Sequence, residues 1–75
     1  MKLYFSRKSL SHIKVWEVSI DVFLVNGDNF TVTFDDRLEK RGWEDILSRM
    51  LLVSDGDNSI VCYDNESGKL YLKLQ

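Results

Sequence analysis

The chain has 75 residues, one cysteine, no proline and a formal charge of −2 from ten bases and twelve acids. That length holds one domain over residues 1–75, a lone thiol excludes an internal disulfide, and the acidic balance argues against generic binding to nucleic-acid backbone or anionic membrane. No stretch approaches the ~20 apolar residues of a spanning helix, and Ser6, Arg7 and Lys8 interrupt any leader-like run, so a soluble domain in the reducing cytoplasm is expected.

Lys2 to Phe5 reads as a short strand, with Leu3 and Phe5 on one face and Tyr4 on the other. Arg7, Lys8, Ser9, Ser11 and His12 read as a polar connection anchored by Leu10. Val15 to Phe34 dominates the pattern. Trp16, Val18, Ile20, Val22 and Leu24 are apolar, and Glu17, Ser19 and Asp21 between them are polar. After Asn26-Gly27-Asp28-Asn29 the alternation resumes with Phe30, Val32 and Phe34. A period of two on both sides of a Gly-containing turn predicts a long β-hairpin with one buried face. Keeping the even residues of both strands on one face requires opposed residues to sum to an even number, Leu24 with Phe30 for example. The loop then has an odd length, three residues around Asn26-Gly27-Asp28, with Gly27 at positive φ.

Asp35 to Arg41 reads as a mixed-charge linker, and a helix is expected from about Trp43 to Val53. Trp43, Ile46, Leu47, Met50 and Leu51 recur at i, i+3, i+4, i+7 and i+8 as one apolar stripe. Gly42 is the expected N-cap, with Glu44 and Asp45 in the first turn. A second hairpin closes the chain: Ile60 to Asp64, the loop Asn65-Glu66-Ser67-Gly68, and Lys69 to Leu74. It pairs Asp64 with Lys69, Tyr63 with Leu70 and Val61 with Leu72. One face then carries Val61, Tyr63, Leu70, Leu72 and Leu74, the other Ile60, Cys62, Tyr71 and Lys73.

The expected fold is therefore α+β in the order β-β-β-α-β-β, one mostly antiparallel twisted sheet with a single amphipathic helix packed on one face. In element order and length it resembles the ubiquitin-like β-grasp class.

Catalytic and metal chemistry find little support. Cys62 and His12 are the one thiol–imidazole combination, but Cys62 is mid-strand with neither a glycine elbow nor a helix N-terminus to activate it, so packing is the better reading. Asp55, Asp57, Ser59 and Glu66 stand at positions 1, 3, 5 and 12 of a calcium-type loop. Position 6, which needs glycine, is Ile60, and the following helix is replaced by strand alternation. The remaining aspartates lack a cleft to pair them. No enzyme activity, cofactor or metal is expected.

Two binding readings remain. Val15, Phe23 and Val25 fall on the nominally wet face of the long strand, and Tyr71 does so in the second hairpin. If they cluster, they form a protein-docking patch, with the acidic loops at Asp28 and at Asp55 and Asp57 steering a basic partner. The expectation is a small non-catalytic interaction module of inhibitor, immunity or adaptor type, binding a protein partner or a second copy of itself through an apolar sheet face or an edge strand. The alternative is a single-stranded nucleic-acid binder using Arg37, Lys40 and Arg41 beside Trp43, although Asp35, Asp36, Glu39, Glu44 and Asp45 interleave with those bases.

Overall fold

The computed structural model describes residues 1–52 and 59–73. Among these residues six strands and one α-helix occur in the order β1 (Lys2–Ser6), β2 (Leu10–Val15), β3 (Ser19–Leu24), β4 (Asn29–Thr33), α1 (Arg37–Leu52), β5 (Ile60–Asp64) and β6 (Lys69–Lys73). The α+β class and the succession of strands, helix and closing hairpin are as expected. The single sheet is not. The strands form two antiparallel three-stranded sheets, β1-β5-β6 and β2-β3-β4. The reason lies in the supposed polar connection. A single 3-10 turn at Arg7–Ser9 swings the chain round a corner, and the segment beyond it continues as β2, an additional strand that pairs with β3 rather than β5. The arrangement thus departs from a β-grasp order. β4 runs close to β6, so the two sheets also approach each other along that side.

Register in the central hairpin follows the parity argument. Ile20 faces Val32 and Val22 faces Phe30. The loop has three residues, Val25-Asn26-Gly27, one position earlier than expected. The Leu24 N–H donates to the Asp28 carbonyl at 2.8 Å and the Gly27 N–H to the Leu24 carbonyl at 3.1 Å. Gly27 has φ +96°, a conformation that a Cβ would strain. In the closing hairpin the predicted pairs form as written, Asp64 with Lys69, Tyr63 with Leu70 and Val61 with Leu72.

Trp16 and Val18 correct the expectation most clearly. They share the parity of the core residues Ile20, Val22 and Leu24, yet they are 56% and 49% exposed. Val15 pairs with Ile20, so the chain must reverse between them, and the Trp16 N–H closes that turn on the Ser19 carbonyl at 2.9 Å. The long strand is therefore two strands, and its alternation runs on through a turn.

The helix starts six residues before Trp43. The Asp36 carboxylate accepts the Leu38 N–H at 2.8 Å and the Asp36 carbonyl accepts the Lys40 N–H at 3.0 Å, which makes Asp36 the N-cap. Gly42 sits within the helix, where it costs about 1 kcal/mol relative to alanine. The expected stripe is the buried one: Leu47 and Met50 are fully enclosed, and Trp43, Ile46 and Leu51 pack against the core at its edge. Their neighbours across the layer are β2 and β3. The far end of the helix is tied to the β1–β2 corner by an Arg7 guanidinium that donates to the Leu51 carbonyl at 3.2 Å, where the helix dipole favours a cation.

Phe5, Val61 and Leu70 from one sheet meet Ile20, Val22, Leu24 and Val32 from the other in a single core. Phe30 joins the two sheets, its ring stacked on Tyr63 at 4.2 Å and tilted against Phe5 at 5.8 Å.

Candidate interaction surfaces

Pairing β1 with β5 and β5 with β6 builds three cross-strand rows on the side of that sheet facing away from the core. They are Lys2–Asp64–Lys69, Tyr4–Cys62–Tyr71 and Ser6–Ile60–Lys73. Tyr4 and Tyr71 are about half exposed, and the three lysines are exposed. Cys62 lies between the tyrosines, 6% exposed yet outside the core cluster, because the two rings flank it on the outer face. The Lys73 ammonium sits 5.1 Å from the centre of the Tyr4 ring.

A different surface forms where β2 turns into β3. Val15, Trp16 and Val18 are all exposed within this one turn. The Phe34 N–H donates to the Val18 carbonyl at 2.8 Å, and Arg37 reaches Glu17 at 3.9 Å, so the start of α1 with its exposed Leu38 adjoins the same end. Trp16 is held rather than loose. Its indole N–H donates to Asp21 Oδ2 at 2.9 Å, and the Thr31 hydroxyl donates to Asp21 Oδ1 at 2.6 Å. These two bonds, Thr31 first, and the nearby Lys14 charge hold the Asp21 carboxyl below its ordinary value.

That arrangement has a pH signature. A carboxyl lowered in the folded state contributes stability that is present above its unfolded value of about 4 and is lost as pH falls through the lower folded value. In a Trp43→Phe background, acidification below about pH 4 should release the indole and shift Trp16 emission, and Asp21→Asn should abolish that step. An unchanged step in Asp21→Asn would show that Asp21 does not set the Trp16 geometry.

The residues expected to share a docking patch are not brought together. Val25 and Asp28 lie at the β3–β4 tip, where the Asn26 amide donates to the Asp28 carboxylate at 3.0 Å. Val15 lies at the other end of the sheet. Phe23 is half-buried on the outer face of β2-β3-β4, covered by the His12 ring stacked at 4.3 Å, with the Lys14 ammonium 5.6 Å away. Tyr71 belongs to the other sheet, and Asp55 and Asp57 fall outside the described residues. Trp16, Val18 and Tyr4 stand outside the patch the sequence suggests: the parity of the first two points to the core, and Tyr4 gains its neighbours only through long-range pairing.

Two members of the basic cluster face acids. Arg37 approaches Glu17, and Lys40 pairs with Glu44 at 3.5 Å with its own side chain only 13% exposed. Cys62 and His12 stand on different sheets, and the His12 ring is engaged by Phe23 and by the Ser11 hydroxyl at 3.1 Å. Among the described residues no group of three or more His, Cys, Asp or Glu is placed to hold a metal ion, and no helix is long and apolar enough to cross a membrane. An open pocket of about 260 Å³ lies beside Phe30 and Tyr63, lined also by Met1, Leu3, Asp28, Asn29 and Asn65, with no convergent acid–base pair.

Comparison with known proteins returns no match, whether to a family model, a characterised protein or a solved structure.

Proposed function

We propose that the chain is a small non-catalytic protein-interaction module, of inhibitor, immunity or adaptor type, that docks through the Val15–Trp16–Val18 end. The observation that carries this reading is an exposed tryptophan already oriented by hydrogen bonding. Large aromatic and arginine side chains dominate binding energy at protein interfaces, and an anchor fixed before contact loses less entropy on binding. Arg37, which reaches Glu17 in the same turn, and the exposed Leu38 beside it in sequence add the mixed polar rim such interfaces carry. The neighbouring edge strand β2 is a poorer docking element. It has a bulge between Leu10 and His12 and carries Lys14, two features that discourage strand addition. The unpaired thiol of Cys62 suits a reducing intracellular setting.

Affinity capture and sedimentation test the proposal together. The wild-type chain should either retain a protein partner or self-associate, and Trp16→Ala with Val18→Ser should weaken that binding by at least about 30-fold, the loss of one hot-spot side chain. A strict monomer whose partner capture survives both substitutions would remove the reading.

A further inference from the structure

We infer that the outer face of β1-β5-β6 binds single-stranded nucleic acid. Charge is the first argument. The chain as a whole is acidic, yet this face sets Lys2, Lys69 and Lys73 against the single carboxylate of Asp64. Lysine is depleted at protein–protein interfaces, whereas it is the ordinary partner of phosphate.

Aromatic placement is the second argument. Tyr4 and Tyr71 stand level with each other on the two outer strands, on the order of 10 Å apart across β5. That is too wide for the two sides of one slot, so the rings serve as separate stacking platforms on either side of the Cys62 that they cover. The lysine rows lie on either side of the tyrosine row, about 7 Å away along the strands. Phosphates and bases of one extended strand would then meet cations and rings alternately. Lys73, already poised over Tyr4, sits where a base and its phosphate would meet. Stacking requires unpaired bases, so the face selects single strands over duplex. This surface is distinct from the Arg37, Lys40 and Arg41 cluster, where Arg37 faces Glu17 and Lys40 faces Glu44.

Fluorescence anisotropy with a labelled oligothymidylate of about ten nucleotides, a length within the footprint of small single-strand binders, tests the inference on the full chain at low salt. Binding is expected, with log K falling against log salt at a slope of about −2 for three lysine contacts. Tyr4→Ala and Tyr71→Ala should each weaken it by about 5- to 150-fold, the range of one lost stacking contact. Lys2→Gln, Lys69→Gln and Lys73→Gln together alter only exposed side chains and should flatten the salt slope. Trp16→Ala should leave oligonucleotide binding unchanged, separating this site from the protein-docking end. The inference is overturned by no binding at low salt, by equal affinity for the duplex, or by polyglutamate displacing the oligonucleotide as well as unlabelled oligothymidylate does. The last result would mark the face as a dock for acidic protein segments.

Discussion

Leu47→Ala should remove about 3 kcal/mol of stability, within the range for truncating a buried leucine. The side chain is fully enclosed at the centre of the helix stripe. A chain of this length has a total stability of only about 4–11 kcal/mol, so the variant should lose a large share of its folded population at 37 °C. Leu38 provides the control. It makes the same chemical change available on the same helix at 78% exposure, and Leu38→Ala should alter stability by no more than about 0.5 kcal/mol. Urea denaturation of the two variants reads the difference directly. Equal costs would mean that the helix is not seated on β2 and β3 through this stripe.

Phe30→Ala is the second large effect. Its ring is only half-buried, which lowers the transfer contribution, but it holds the two sheets together through Tyr63 and Phe5. About 3 kcal/mol is expected, of which the ring pairs supply about 1 kcal/mol. Phe30→Leu should recover most of the loss by restoring apolar volume. A double-mutant cycle of Phe30→Leu with Tyr63→Leu isolates the stacking, and its coupling should lie near 1 kcal/mol. Coupling close to zero would place the junction between the sheets elsewhere.

Local signals made much of this fold legible. The closing hairpin could be paired residue by residue because a four-residue loop ending in Gly68 fixes its own register. The parity of the central hairpin followed from Thr31 and Thr33 having to stay outside the core. Two errors have physical causes. The turn between β2 and β3 is Trp16-Glu17-Val18 and has neither glycine nor proline, so apolar alternation passes through it unbroken. The helix start leaves no mark in the apolar stripe, which begins at Trp43. The spacing Asp36-x-x-Glu39, an N-cap acid followed by a glutamate three residues later, was available as a signal.

The surfaces were less legible than the fold. Exposure of Trp16 depends on the misread turn. The row Tyr4–Cys62–Tyr71 depends on the β1–β5 register, which links residues near opposite ends of the described chain and leaves no local trace. Asp21 looked like any other strand carboxylate until Thr31 and Trp16 were brought to its two oxygens.

The corner at Arg7–Ser9 has a consequence for how the molecule can be divided. Because it hands the chain from one sheet to the other, β1 is the only strand of its sheet that precedes the helix, and the tyrosine row is a discontinuous epitope. The isolated β5–β6 hairpin holds Cys62 and Tyr71 but not Tyr4, and a fragment ending at the helix holds Tyr4 alone. Closing β1 onto β5 also spans nearly the whole sequence, the contact with the greatest loop-closure cost in the fold, whereas β2, β3 and β4 join through short loops. The lysine–tyrosine face is thus a property of the intact tertiary structure, and a linear peptide cannot reproduce it.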